Sequence, residues 1–231
     1  MAHNLDMANS AGRQHPIGRL SGTLHLVRHG LVENPKGVIY GRLPGFNLSD
    51  AGRRQARASA HRLKDADVGL IWTSPLERAQ ETAREIAAYH PGVEVVTDHR
   101  IIESDTTLEG VARTLLGLFR SPRGWWQFRN PMKPTWGESF AEIRARMLDA
   151  VADALAHCGG KDAVLVSHQT PILVARLALA RRRVPPWLGF MPCQTASVTT
   201  LVLQEGAVRS AVYYAPAPGQ GPGEEDEGAP A

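Results

Sequence analysis

The chain has 231 residues, 43% of them hydrophobic and 21% charged. That balance is ordinary for a globular domain and supports one sizeable core. The net charge is +3 although Glu224, Glu225, Asp226 and Glu227 crowd the end, so the body is basic and suits an anionic partner. Its basic residues are scattered, and the run Arg181-Arg182-Arg183 is explained by a solvated helix end, which favours a small anion over a nucleic acid.

In chain order, residues 1–21 carry no apolar signal-like region and are expected to be a flexible extension. "TLHLV" then predicts a buried strand that ends at Arg28, His29 and Gly30. "LSDAGRRQARASAHRLK" predicts a helix capped by Ser49 or Asp50. "GLIWTS" predicts a second strand, and "SPLERAQETAREIAAYH" a helix with Ser74 as cap and Pro75 at its first position. "VEVVTD" is a third, short strand. Residues 104–137 are irregular, with one helix expected around "LEGVARTLLGLF" and then a Pro- and Trp-rich loop over 121–137. Phe140, Ile143, Met147, Val151 and Leu155 keep helical spacing, so "ESFAEIRARMLDAVADALAHC" predicts an amphipathic helix. "DAVLVSH" is a strand, "TPILVARLALARR" a helix capped by Thr170, and "TASVTTLVL" and "VRSAVYYA" a closing hairpin about Glu205-Gly206. The most apolar run, "PILVARLALA", is too short to span a bilayer and holds Arg176. Residues 216–231, rich in Pro, Gly and acid, predict a solvated, disordered tail. Cys158 and Cys193 form no metal-ligand pattern, and a reduced cytoplasmic setting is the simplest fit, with one disulfide left open.

Strands alternating with helices predict an α/β fold, a three-layer α/β/α sandwich about a mostly parallel sheet spanning residues 22–215. In such sheets ligands bind beyond the carboxyl ends of the strands. Arg28-His29-Gly30, Ser74-Pro75 and Ser167-His168 each follow a strand and can meet at one edge. Singly, each has a structural reading: an ion-pair arginine, a core or capping histidine, a solvated Glu103. If they converge, they predict a phosphate site. Arg28 and Arg78 offer forked donors that match phosphate oxygens, and His29 and His168 add donors or a nucleophile. A helix starting after His168 adds backbone N–H groups, Gly30 lets the backbone approach an anion, and a carboxyl such as Glu103 can protonate a leaving alcohol.

"LVRHG", "SPLERAQETA" and "VLVSH", in that order, resemble the three hallmark segments of the histidine phosphatase superfamily, the phosphoglycerate mutase-like enzymes. "GRLPGFNLSDAGRRQA" is similar to the family segment after the first motif, and the resemblance covers about residues 22–205. It implies His29 as a nucleophile that becomes phosphohistidine, with Arg28, Arg78 and His168 around the phosphate. Glu103 would be the proton donor, with Asp105 and Glu109 as rivals. Asn34, Arg42 and Gln169 would be substrate-binding. Val32 stands where the family commonly has Thr, and Asn34 lies one residue early. "RIIESDTTLEG" lacks the family's usual glycine, and Gln169-Thr170 replaces its frequent Gly-Gly.

The implied activity is a metal-independent, cofactor-free phosphomonoester hydrolase acting on a small phosphorylated metabolite, with no membrane or nucleic-acid partner and an open oligomeric state. Residues 121–137 are a candidate lid, or a loop packed over a helix. The alternatives are mutase-type transfer, disfavoured because the longer basic-aromatic insertion of the mutases is missing, and a non-catalytic phospho-ligand binding protein.

Overall fold

Side chains alternate across a strand, so a strand covered on both faces needs apolar residues at odd and even positions alike. In the computed structural model, which describes residues 20–112, 137–185 and 187–217, that requirement is met at the centre of one sheet. Its strands are β1 (Gly22–Arg28), β2 (Val68–Thr73), β3 (Val95–Thr97), β4 (Asp162–Ser167), β5 (Val198–Gln204) and β6 (Ala207–Tyr214), in the order β3-β2-β4-β1-β5-β6. β3, β2, β4 and β1 are mutually parallel, while β5 pairs antiparallel with β1 and β6 antiparallel with β5. The sheet is mixed, with a parallel core, and the α/β expectation stands.

Four helices cover it among the described residues: α1 (Asp50–Arg62), α2 (Glu77–Ala87), α3 (Phe140–His157) and α4 (Gln169–Leu179). Val27, Ile71, Val164 and Val166 pack with Ala60, Leu63, Ala79, Ala83 and Ile86 of the α1–α2 layer. Leu24, Leu26 and Leu165 turn the other way, onto Ile143, Met147 and Val151 of α3 and Ile172 and Leu173 of α4. These two cores make the three layers. No helix among the described residues is long and apolar enough to cross a membrane.

Helix ends follow the predicted capping in part. The Ser49 side chain accepts from Gly52 N–H and caps α1, and Ser139 forms a full capping box with Glu142 at α3. The other two caps differ. The residue at the α2 cap is Leu76, and the residue at the α4 cap is His168, neither with a side-chain cap bond. Ser74 does not cap α2 because its hydroxyl faces His168 across the sheet edge.

Residues 108–110 form a turn, with Gly110 at φ +79°, and 111–112 bridge back to Val38 and Ile39, so no helix starts at Leu108. The remainder of that expected helix, most of the candidate lid, residues 1–19 and the acidic tail from 218 lie outside the described residues. Leu20, inside the expected extension, is buried, and its carbonyl accepts from Gly206 N–H. At the other end Pro216 is buried, inside the expected tail. Cys158 and Cys193 are both free and buried.

Candidate active site

The parallel register brings three strand ends level. Arg28 pairs with Ser167 across β1 and β4, and Thr73 pairs with Val166 across β2 and β4. The backbone continues that alignment past the strands: His29 N–H donates to Ser167 O at 3.1 Å and Ser74 N–H to Val166 O at 3.0 Å. His29, Ser74 and His168 therefore leave the sheet side by side, and Arg78 enters from the first turn of α2.

His29 is 1% exposed. Its Nδ1 lies 2.8 Å from the Gly30 carbonyl, which can only accept, so Nδ1 carries the proton and Nε2 keeps its lone pair. Burial, then the charges of Arg78 and Arg28, hold its pKa well below the usual histidine value. The environment thus favours the neutral ring, with its lone pair at Nε2. His168 stands 5.0 Å away, ring centre to ring centre, with Nε2 at 2.7 Å from Ser74 Oγ. Burial, followed by His29 and the two arginines, lowers its pKa in the same way.

Arg78 is 0% exposed, which no unpaired guanidinium tolerates cheaply. It donates through Nη2 to Gly41 O at 2.6 Å and lies 4.8 Å over the Tyr40 ring. Arg28 donates through Nη1 to Cys193 O at 2.5 Å. Four buried nitrogens here have no protein partner among the described residues: Arg28 Nε, Arg78 Nε, Arg78 Nη1 and His168 Nδ1. Buried donors in native proteins are paired, so this set calls for an anion with several acceptor oxygens.

A cavity of about 290 Å³ leads to this cluster, lined by Arg28, Tyr40, Gly41, Glu103, Ser104 and Gln169 among others. Glu103 is half-buried, and Ser104 donates to its Oε1 from both N–H, at 2.8 Å, and Oγ. Burial pushes its carboxyl upward in pKa, against the opposing pull of Ser104, Arg78 and Arg28. A carboxyl so placed can hold a proton beside the anion-binding donors.

The remaining candidates divide. Asp105 lines the same cavity and is exposed. Glu109 is turned to Arg42, whose backbone N–H donates to its Oε1 at 2.6 Å. Arg42 bonds Glu103 O and Glu138, and Gln169 lines the cavity while donating to Gly189 O. Asn34 stands apart: its amide is occupied on both sides by the Val38 backbone, and it lines a separate groove with Phe46 and Arg53. The glycine beside His29 has a different reason from the one expected. A Cβ on Gly30 would sit 2.4 Å from Gly52 O, so Gly30 admits the start of α1, not an anion.

Tyr40 and Ser74 complete the cluster: Tyr40 has no motif, and Ser74, placed at the shared edge by its strand, looks in sequence like a helix cap and not like a partner of His168. Among the described residues no group of three His, Cys, Asp or Glu side chains is arranged to hold a metal ion.

The sequence model of the histidine phosphatase superfamily (branch 1) matches residues 24–215. The uncharacterized protein Rv0525 of Mycobacterium tuberculosis is 46% identical over 197 residues, 84% of this chain and 96% of that protein. Phosphoserine phosphatase 1 of Hydrogenobacter thermophilus is 30% identical over 186 residues, 79% of this chain and 87% of its own. Among solved structures, a phosphoserine phosphatase from Entamoeba histolytica in complex with 3-phosphoglyceric acid superimposes with a TM-score of 0.68 at 25% identity, covering 82% of this chain and 96% of that one.

Proposed function

The chain belongs to the histidine phosphatase superfamily, branch 1, and on that premise we propose that it hydrolyses a small phosphomonoester through a phosphohistidine at His29. The observation that carries this reading is the neutral His29, its Nε2 free, beside four unpartnered buried donors on Arg28, Arg78 and His168. Relatives named as phosphatases support hydrolysis as the outcome.

The Nε2 lone pair of His29 attacks phosphorus while the bond to the ester oxygen breaks. Arg28, Arg78 and His168 Nδ1 hold the equatorial oxygens as charge spreads over them. Ser74 Oγ accepts from Leu76 N–H and donates its own proton to His168 Nε2 in this reading, so that the imidazole proton sits on Nδ1 and binds phosphate. Glu103 gives its proton to the departing alkoxide. As a carboxylate it then takes a proton from water, the hydroxyl oxygen attacks phosphorus, and the P–N bond breaks to restore His29 and release inorganic phosphate.

Because Arg28 and Arg78 supply the positive charge, turnover is expected to survive exhaustive chelation. With ³²P-labelled substrate and an acid-free quench, the label should appear on the His29 peptide as a base-stable, acid-labile phosphoramidate, and His29→Ala should lose both label and turnover. Robust turnover by His29→Ala overturns the reading. Isomerisation of a phosphoglycerate faster than release of phosphate would assign mutase chemistry instead.

A further inference from the structure

The segment that carries Glu103 has no regular structure to hold it. It leaves a single 3₁₀ turn at His99–Ile101 and crosses the mouth of the cavity as irregular chain. The carbonyls of residues 100–103 are nevertheless engaged. Arg146 Nη1 donates to Arg100 O at 2.5 Å and to Ile102 O at 2.8 Å. Ser167 Oγ donates to Ile101 O at 2.7 Å, and Arg42 Nε to Glu103 O at 2.8 Å. Four consecutive carbonyls are thus gripped by side chains from α3, β4 and the loop after β1.

The two arginines in that grip share one partner. Glu138 accepts from Arg146 Nε at 2.6 Å and Nη2 at 2.9 Å, and from Arg42 Nη2 at 3.0 Å. Its side chain is only 14% exposed, and it stands just ahead of the α3 cap at Ser139. Without a carboxylate there, two guanidiniums would face each other across a half-buried gap. Bidentate pairing fixes the plane of the Arg146 fork and so the direction of its Nη1, while the single bond from Nη2 anchors the Arg42 guanidinium whose Nε holds Glu103 O. Glu138 lines the cavity beside Glu103, yet both its oxygens are committed to arginines.

We propose that Glu138 is a positioning residue for catalysis: by bridging Arg42 and Arg146 it sets the backbone at 100–103 and thereby the reach of the Glu103 carboxyl to the leaving oxygen. This rests on the phosphatase reading, and the test separates the two. Glu103→Gln should slow turnover of alkyl phosphates about 10²–10⁴-fold and spare aryl phosphates with good leaving groups.

Glu138→Gln should show the same leaving-group bias at smaller size, roughly 10- to 100-fold in kcat with little change in KM, because a displacement near 1 Å is enough. Arg42→Met, which keeps the Glu138–Arg146 pair, should show the same bias and serves if the first variant folds poorly. Crystal structures of both variants should show the 100–104 backbone displaced from its place along the cavity. A backbone that stays in place, or equal losses on alkyl and aryl substrates, overturns the proposal. If Glu103→Gln shows no leaving-group bias while the Glu138→Gln backbone has moved, the acid assignment fails and the backbone grip stands.

Discussion

His29 shows how one backbone atom selects a chemistry. The Gly30 carbonyl takes the Nδ1 proton, and the tautomer that results presents a lone pair at Nε2. Gly30 makes a second contribution through what it lacks. Its Cα lies against Gly52, whose own Cβ would meet Leu31 O at 1.9 Å, so the segment after β1 and the first turn of α1 touch backbone to backbone. Gly30→Ala should therefore cost about 1–3 kcal/mol or more, since the obstructing atoms are main chain and cannot rotate away. Chemical denaturation checks this: a midpoint within error of the parent protein would show that the contact yields. A residue-scale contrast is Asn34, a hydrogen-bonding side chain placed near the motif in sequence but held by the Val38 backbone. Asn34→Ala should open that loop and leave phosphate affinity, measured by inhibition with inorganic phosphate, nearly unchanged.

At the scale of elements, α3 was legible from its periodicity, and the structure adds a second local signal. Its apolar residues repeat at helical spacing, and Ser139 with Glu142 forms a capping box. Ser139→Ala should lower stability by about 0.5–2 kcal/mol, and Ser139→Asp should restore most of it. Thermal unfolding decides: equal melting temperatures for all three proteins would mean the box is redundant. Elsewhere, residues that propensity assigns to caps serve the site. Ser74 bonds His168, and Thr170 lies inside α4, whose cap position is taken by His168 itself. Local preference for a cap is worth about 1 kcal/mol, and a buried imidazole left without a partner costs more than that, so the tertiary bond wins.

The whole molecule carries a pH dependence built from its burial. His25, His29, His90 and His168 all have pKa values pushed down, in each case chiefly by burial. The unfolded chain binds protons at these sites near pH 6.5, where the folded protein still refuses them. Their contribution to stability is therefore complete above about pH 6.5 and declines as the pH falls below it. Glu103 acts in the opposite sense: its raised pKa favours the folded state at low pH, and that contribution is lost as pH rises through the folded value. One carboxyl is set against four imidazoles. The melting temperature should be lower at pH 5 than at pH 7.5 by several degrees, roughly 2–4 °C for each kcal/mol lost. A flat or inverted profile would show that these histidines are protonated in the folded protein. Saturating inorganic phosphate should raise the melting temperature at pH 7.5, because only the folded chain gathers the four unpartnered donors.

From the sequence alone came the six strands, the four helices that cover the sheet, the layering and the meeting of Arg28-His29 with Arg78 and His168 at one edge, but not the turn at 108–110 in place of the expected helix. Those follow from periodicity and from the rule that parallel strands present their carboxyl ends together, and both are local or nearly so. Only the tertiary structure decided which polar atoms remain free once folding has paired the rest. It occupied Asn34 with Val38, turned Glu109 to Arg42, closed Arg42 and Arg146 on Glu138, and left Arg28 Nε, Arg78 Nε and Nη1 and His168 Nδ1 without a partner among the described residues. Partner choice among polar groups depends on distances of a few tenths of an ångström between segments up to about a hundred residues apart, and no pattern of residue types along the chain encodes such distances.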